Sequence, residues 1–353
     1  MSCRTSSTVT EAGGIAPRVS GSVLCALVLL LWLAGCAFPV PPGVSGTVDP
    51  VPGAAEKVRM VYLGSGGWIF EYAGEQILAA PLYSNPGLFT TGLFGVRSDT
   101  TLVDRYMSRY DVSRARAILV GHAHYDHLMD VPRVATHHAP MARIVGSETV
   151  RNTLGTWSGL WNRVDLVNDS SATQVTPGRW LHYGDRIRVL PLATKHAPHF
   201  DGYTLYQGHR DRPLESEPRW ADEWVDGDSF SFLVDFLHPD GEVAFRIYYQ
   251  DAVSAAPAGF APDTRIAERP VDVAIFVPAT FDQVDWHPEA FVENLRPRRV
   301  LLGHWENFFQ PIEDSTKSIL LTDMGHFEGR LENVHSGEWW RPEIFTEFLL
   351  PVR

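Results

Sequence analysis

The chain has 353 residues, of which 44% are hydrophobic, enough to bury a sizeable core in one large domain or two smaller ones. Its formal net charge is −12. Proteins that bind a nucleic-acid backbone usually carry a clustered basic face, and this acidic chain offers none, which argues against a nucleic-acid partner.

An apolar stretch near the N-terminus predicts export. Residues 23–35, VLCALVLLLWLAG, are too short for a comfortable membrane span, follow Arg4 and Arg18, and end in small residues, as a signal peptide does. The sequence LAGC that ends at Cys36 resembles a bacterial lipobox, in which cleavage before the cysteine leaves it lipidated. We predict that residues 1–35 are a lipoprotein signal peptide and that Cys36 anchors the protein to the bacterial cell envelope; an ordinary signal peptide or an uncleaved anchor is the alternative.

The three cysteines, Cys3, Cys25 and Cys36, all lie at or before this cleavage point. The exported domain would then have neither a disulfide nor a thiolate ligand, so its chemistry must come from histidines and carboxylates. Residues 36–56 are rich in proline and glycine without periodicity and predict a tether. Residues 57–353 are predicted to form the functional domain.

The domain opens with three short alternating segments that predict a β-meander, at residues 57–63, 68–72 and 76–79. Residues 82–98 are apolar and glycine-rich and follow neither helical nor strand periodicity. They suit either a flap that covers a substrate pocket or touches lipid, or a loop packed on the core. Asp99 is predicted to cap a helix that continues to Arg109.

A buried strand at residues 117–120 then stops at Gly121 and is followed by four ligand-type side chains, His122, His124, Asp126 and His127. Alternate residues of an extended segment share a face, so the first two histidines can point the same way. Imidazole and carboxylate groups suit zinc, or else iron or manganese. The run therefore predicts a metal site at a strand end.

This run resembles the H-x-H-x-D-H signature of the metallo-β-lactamase superfamily, over about residues 57 to 310. The resemblance implies an α/β fold, a four-layer αββα sandwich with metals at one edge of the sheets. In that family the stretch matching ILAAP commonly has aspartate before the proline, where this chain has Ala80. Because that aspartate supports the metal loop, the departure bears on metal affinity and on ligand orientation.

The next candidate ligand follows a predicted strand at residues 186–190. By its position, His196 resembles the family's third histidine ligand, and His199 is the competitor; His196 is preferred because it comes first after the strand. The charged residues 200–228 show no apolar period and predict a surface insertion of the kind that shapes a substrate entrance.

A hairpin pattern over residues 229–236 and 243–249 ends at Gln250 and Asp251. Asp251 resembles the superfamily's metal-bridging aspartate, although a glycine more often stands where this chain has Gln250. A turn or capping aspartate is the alternative.

The last ligand candidate, His304, follows a predicted strand at residues 299–303. The His304-Trp305 pair is similar to the branch that contains N-acyl-phosphatidylethanolamine-hydrolysing phospholipase D and the ascorbate-phosphate lactonases. Seven other histidines are given no role: His137 and His138, which are adjacent and outside the motif, and His182, His209, His287, His326 and His335, which lack a strand-end context. His238 lies in the predicted hairpin turn.

The resemblance implies a centre of two divalent metal ions, zinc in the first place and iron or manganese as alternatives. The first ion would take His122, His124 and His196. The second would take Asp126, His127 and His304, with Asp251 between them and a bridging hydroxide as the nucleophile. Asp126 and His304 are the predicted catalytic residues; Asp126 could orient the nucleophile or move a proton, or only bind metal.

These inferences predict a metal-dependent hydrolase that acts on a phosphodiester or a lactone or ester with an apolar portion. Its substrate would be a small or lipid-like molecule, its membrane contact the lipid on Cys36, and no protein partner is predicted. Two alternatives remain: a catalytically silent, metal-binding surface lipoprotein, and a mononuclear iron oxidoreductase on the same fold.

Overall fold

Two β-sheets form the centre of the molecule. The computed structural model describes residues 40–314 and 316–353; the predicted signal peptide and Cys36 lie outside them. Sheet 1 has eight strands, in the spatial order β1-β15-β2-β3-β4-β5-β6-β7. In chain order they are β1 Thr47–Val48, β2 Lys57–Gly64, β3 Gly67–Tyr72, β4 Glu75–Ala79, β5 Ala117–Leu119, β6 Arg143–Gly146, β7 Val164–Leu166 and β15 Glu347–Pro351.

Sheet 2 has seven strands, in the order β14-β13-β12-β11-β10-β9-β8. They are β8 Leu181–Tyr183, β9 Ile187–Thr194, β10 Ser229–Leu237, β11 Val243–Tyr249, β12 Val273–Phe276, β13 Arg299–Leu302 and β14 Glu338–Trp340. Aromatic residues join the two sheets: the ring centres of Phe70 and Tyr249 are 6.3 Å apart, and those of Tyr72 and Phe236 are 5.9 Å apart. The inward faces of the sheets thus share one apolar core.

Helices cover the outer faces of both sheets. They are α1 Leu88–Leu93, α2 Thr100–Met107, α3 Tyr125–Leu128, α4 Val131–Arg133, α5 Glu148–Thr153, α6 Asp263–Glu268, α7 Glu289–Leu295 and α8 Met324–Val334. Asp99 caps α2 as predicted, accepting from the backbone N–H groups of Thr101 and Leu102. The layers are those of the predicted αββα sandwich. None of the helices that the structure describes is long and apolar enough to cross a membrane.

The direction of the strands places the candidate ligands. Strands β4 to β7 are parallel to one another, as are β11 to β14, and β9 runs in the same direction as β11 because β10 is antiparallel to both. Parallel strands end at the same edge of a sheet. The edge where β5, β9, β11 and β13 end is called the ligand edge here, because candidate ligands follow each of these strands.

The segment before β2 is attached to the domain. Val40, Val44 and Val48 pack against the core, and β1 pairs with β15. The guanidinium of Arg341 donates to the carbonyl of Pro41. Arg341 directly follows β14, which is parallel to β13, so this attachment lies at the ligand edge. The described part of the predicted tether is therefore packed on the domain up to β1.

Candidate metal centre

The loop His122–His127, called the metal loop here, brings two imidazoles together with one that follows β9. His122 and His124 follow the buried strand β5, and Nε2 of His122 lies 3.1 Å from Nδ1 of His124. The ring of His196, two residues after β9, has its centre 4.9 Å from that of His122 and 5.1 Å from that of His124. One nitrogen from each of these three rings lies within 4.8 Å of the other two.

A second group forms beside the first. Because His124 is extended and precedes α3, Asp126 and His127 fall in the first turn of that helix. Oδ2 of Asp126 lies 3.3 Å from Nε2 of His127 and 3.2 Å from Nε2 of His304. Burial alone would raise the pKa of Asp126, but the two imidazoles hold it well below its ordinary value.

Asp251 joins the two groups. Its Oδ2 lies 2.8 Å from Nδ1 of His122, and its Oδ1 lies 3.0 Å from Nδ1 of His127. The carboxylate is packed so closely on the loop that a Cβ at Gly121 would lie 2.3 Å from the Asp251 Cβ. Although the side chain is buried, His127 and His122 keep the pKa of Asp251 far below its usual range, so it stays ionised.

The hydrogen bonds show that the first group fits a cation. A carboxylate or carbonyl oxygen only accepts, so Nδ1 carries the proton in the contacts of His122 with Asp251 and of His196 with the Ala197 carbonyl, the latter at 2.6 Å. In the neutral rings of His122 and His196 the lone pair is then on Nε2. Uncharged Nε2 atoms of this kind are the usual histidine ligands of zinc and iron.

The second group, formed by Asp126, His127 and His304, also requires a positive charge between its side chains. His127 donates through Nδ1 to Asp251, so in a neutral ring its Nε2 lone pair would face the Asp126 carboxylate. A proton relieves this repulsion here: burial lowers the pKa of His127, but Asp251 and Asp126 raise it to about 10. A metal ion can take the place of that proton, and the buried, unpartnered Nε2 of His124 and Nδ1 of His304 lie within the same cluster.

His304 is held by groups that the sequence did not reveal. Its backbone is left-handed, with φ +53°, which costs about 1–3 kcal/mol for a residue other than glycine. Its N–H lies 3.0 Å from the carbonyl of Ser65 and 2.9 Å from the hydroxyl of Tyr62. Glu306 in turn accepts from the Tyr62 hydroxyl and the Ser65 N–H. This buried network fixes the ligand in its strained position.

Two more groups touch the centre, one from the turn between β2 and β3 and one from β11. The hydroxyl of Tyr249 lies within hydrogen-bond distance of Asp251 and of the carbonyl of Gly66, the latter at 2.8 Å. A Cβ on Gly66 would lie 2.7 Å from Nδ1 of His127, so a side chain cannot be accommodated there without movement. The glycine-rich turn at residues 64–67 was the sequence signal for this close approach.

Ala80, at the position where the family resemblance led us to expect an aspartate, contributes no polar side chain. Ala80 is buried in the outer apolar cluster, and its N–H donates to the carbonyl of Leu119 at 2.9 Å. The metal loop is instead held in place by the nearby buried carboxylate of Asp130. This carboxylate accepts hydrogen bonds from the backbone N–H groups of Tyr83 and Ser84 and from the hydroxyls of Ser84 and Ser98. Asp130 therefore joins the metal loop to residues 82–98.

His199 lies beside the first group. Its ring stacks on that of His196, with centres 4.6 Å apart and an interplanar angle of 13°. Its Nδ1 accepts from the N–H of Leu205 at 3.0 Å, so a neutral ring carries its proton on Nε2. No residue that the structure describes accepts from this Nε2–H. His196 belongs to the nitrogen cluster with His122 and His124, and His199 presents a donor next to it.

The histidines that were given no role lie outside these groups. His138 pairs with Asp104, and His137 contacts Arg133. His287 is fully buried among aromatic rings, where Nε2 donates to the carbonyl of Val277 at 3.2 Å.

The comparisons with known proteins concern the fold. No family model and no curated sequence matches the chain. Among solved structures, Igni18, a metallo hydrolase from the hyperthermophilic archaeon Ignicoccus hospitalis, is 16% identical with a TM-score of 0.50, over 84% of this chain and 100% of that one. YhfI from Bacillus subtilis, described as a metallo-β-lactamase fold protein, is 12% identical with a TM-score of 0.46, over 83% and 99%.

A third structure is CmlA, a diiron β-hydroxylase from Streptomyces venezuelae, 15% identical with a TM-score of 0.47, over 86% of this chain and 55% of that one. Together with the two sheets and outer helices described above, the likeness to Igni18 confirms the predicted α/β fold of four layers. At these identities the likeness extends to the fold and not to a particular activity.

Proposed function

We propose that the protein is a metal-dependent hydrolase with two divalent cations, acting on a phosphodiester or on a lactone or ester with an apolar portion. The observation that carries the proposal is the convergence of seven ligand-type side chains from four strand ends into two adjacent groups joined by Asp251. The shared fold with a metallo hydrolase supports the same reaction class.

His122, His124 and His196 would hold one cation, and Asp126, His127 and His304 the other, with Asp251 bridging. When bound, such a pair lowers the pKa of water and neutralises negative charge that develops on a phosphoryl or carbonyl oxygen. Zinc suits this donor set best, and iron and manganese are the alternatives.

The chain supplies further groups around this centre. The Nε2–H of His199 can donate to an oxygen of the substrate, because its tautomer is fixed by Leu205. Tyr206, whose ring centre lies 6.3 Å from that of His124, can present a second hydroxyl donor from the 200–228 insertion. Asp126 stays ionised and can accept a proton or orient the attacking water.

The apolar part of the proposed substrate is argued from the surroundings of the centre. The ring of Phe308 lies 5.1 Å from that of His304 and 6.3 Å from that of Tyr125. Phe89 and Phe94, in and after α1, are half or more exposed. An acyl or alkyl group bound beside these rings would be removed from water.

The test is hydrolysis by the purified, metal-loaded protein of a panel that contains a phosphodiester, a lactone, a carboxylic ester and a β-lactam. We expect turnover of a phosphodiester or a lactone that disappears in His304→Ala. The number and identity of the bound metal ions are measured on the same protein. Two ions with no turnover across the panel would favour the silent metal-binding lipoprotein, and one iron per chain would favour the oxidoreductase.

We also propose that the protein is exported and anchored to the bacterial cell envelope by a lipid on Cys36. The support is the short apolar leader followed by LAGC. Metabolic labelling with a radioactive fatty acid would show incorporation into the wild type and none into Cys36→Ser; equal labelling of both would refute the anchor.

A further inference from the structure

A group of exposed apolar side chains lies on two neighbouring segments and is called the apolar patch here. It consists of Phe89, Leu93, Phe94 and Trp220, which are 49%, 50%, 76% and 47% exposed. The segments are joined by a hydrogen bond of 2.8 Å from the Val96 N–H to the Arg219 carbonyl. Burial of large apolar side chains is favourable, so a group of them left in water on neighbouring segments calls for an explanation.

The apolar patch lies at the ligand edge. Helix α1, which carries Phe89 and Leu93, belongs to the segment that follows β4, and β4 ends at the same edge as β5. Burial raises the pKa of Tyr125, the residue between His124 and Asp126, and the buried Thr91 of this helix lies close enough to the Tyr125 hydroxyl to oppose that rise. The helix that carries the patch is thus next to the loop of candidate ligands.

The N-terminal attachment lies at the same edge. Described structure begins at Val40, and Arg341, just after β14, holds the carbonyl of Pro41. Val40 is four residues after Cys36, a length of chain that spans at most about 14 Å. A lipid on Cys36 would therefore keep this edge within about 14 Å of the bilayer surface.

Two arginines beside the apolar patch suit a lipid headgroup region, and exposed carboxylates of Glu217, Asp222 and Glu223 lie beside Trp220 as well. Arg97 and Arg219 are both exposed and next to the patch in sequence, and neither makes an ion pair within residues 40–314 and 316–353. Aromatic side chains bordered by arginines are typical of the interface between lipid and water, where rings enter the acyl boundary and guanidinium groups contact phosphates. A second copy of this acidic chain would offer less to two unpaired arginines than anionic lipid does.

We propose that the apolar patch rests on the bilayer to which Cys36 anchors the protein, so that the ligand edge and its metal centre face the lipid surface. This orientation rests on the lipid anchor proposed above. It gives the centre direct access to molecules that lie in the membrane, and it assigns Phe94, the most exposed member, to the headgroup and acyl boundary.

The test uses the full chain produced in a bacterium and reconstituted in vesicles of phosphatidylethanolamine and phosphatidylglycerol. A lipidated, processed wild type has no free thiol, so a Phe94→Cys variant can carry a single environment-sensitive fluorophore. Met141→Cys is the matched control: Met141 is 62% exposed but precedes β6, which places it at the opposite edge of sheet 1.

We expect the label in Phe94→Cys to shift its emission to the blue and to be quenched when the vesicles contain brominated acyl chains, while the label in Met141→Cys does neither. Equal, water-like emission from both variants in membrane-bound protein would overturn the proposal. A blue shift without quenching would also overturn it, since it would show burial in a second copy.

A failure of the proposed lipid anchor can be distinguished from a failure of the proposed contact between the apolar patch and the membrane. A soluble wild type whose Cys36 reacts with the label would refute lipid attachment alone. Vesicles are then added to that unlipidated protein with Cys36 replaced by serine. Quenching of the label in Phe94→Cys would still support the membrane-facing patch, and its absence would overturn the patch as well.

Discussion

Oδ2 of Asp251 lies 2.8 Å from Nδ1 of His122, although the two residues are 129 positions apart in the chain. The contact links β5 of sheet 1 with β11 of sheet 2 and places one carboxylate against both ligand groups.

Replacing Asp251 with alanine is expected to lower the bound metal from about two ions per chain to one or fewer, because a bridging carboxylate holds both ions. Inductively coupled plasma mass spectrometry of wild type and variant measures the ratio. Asp251→Asn keeps the shape of the side chain but removes its charge, and its metal content is expected to lie between those of the wild type and Asp251→Ala. An unchanged ratio in Asp251→Ala would remove the residue from the site.

The two neighbouring histidines are expected to behave differently. His196→Ala should lose about one ion, because its nitrogen belongs to the first group. His199→Ala should keep the full metal content but hydrolyse the substrate at least about 10-fold more slowly, as expected when one donor to the transition state is removed. Loss of metal in His199→Ala and not in His196→Ala would reverse the assignment.

Glycine substitutions separate close packing from backbone freedom. Gly66→Ala is expected to destabilise the protein by about 1–3 kcal/mol, because its Cβ would lie 2.7 Å from Nδ1 of His127. Gly329→Ala is the control, since Gly329 lies in α8 with no atom within 4 Å of the added Cβ and is expected to gain about 0.5–1 kcal/mol. Urea denaturation measures both; equal effects would contradict the packing argument.

Asp130→Ala is expected to free residues 82–98, because four hydrogen bonds from that segment end on this one buried carboxylate. Leaving those donors unpaired costs about 1–3 kcal/mol or more. Limited proteolysis should show faster cleavage within the segment. Asp99→Ala, which removes only the cap of α2, is the control, and equal cleavage of the two variants would refute the role of Asp130.

The stability of the protein should fall in mild acid partly through His287. Burial lowers the pKa of this histidine to about 4, although the hydrogen bond from Nε2 to the Val277 carbonyl raises it. A proton on Nδ1 would find no acceptor among the described residues. The unfolded chain has a histidine pKa of about 6.5 and binds the proton first. Stability should thus drop as the pH falls from about 6.5 to about 4, by up to about 3 kcal/mol.

The check is the free energy of unfolding against pH for wild type and His287→Phe. The variant keeps an aromatic ring and cannot titrate, so its curve should be flatter over that interval. Parallel curves would exclude His287 as a source of the acid sensitivity.

The sequence predicted the parts of the site that depend on local pattern. The apolar run before Gly121 and the spacing of His122, His124 and Asp126 indicated a strand end with ligands. Strand direction then brings that end to Asp251 and His304, which the family resemblance implied. The αββα layers were likewise implied by the family resemblance.

Contacts between distant residues were not predictable in this way. Tyr62 and Glu306, which hold His304, are separated by 244 positions. Helix α1 contains two threonines and a glycine, so its weak intrinsic helix preference did not predict it. The roles of His196 and His199 differ through the contact of His199 with Leu205, which requires the folded insertion.

Strand β15 occupies an inner position in sheet 1, between β1 and β2, and is hydrogen-bonded along both sides. During synthesis, residues 347–351 leave the ribosome long after the first 300 have emerged. The nascent chain must therefore wait with a gap in one sheet and with β2 unpaired on that side. Until β15 inserts between β1 and β2, sheet 1 is incomplete. A fusion partner placed directly after residue 351 would have to leave enough room for this last strand to insert.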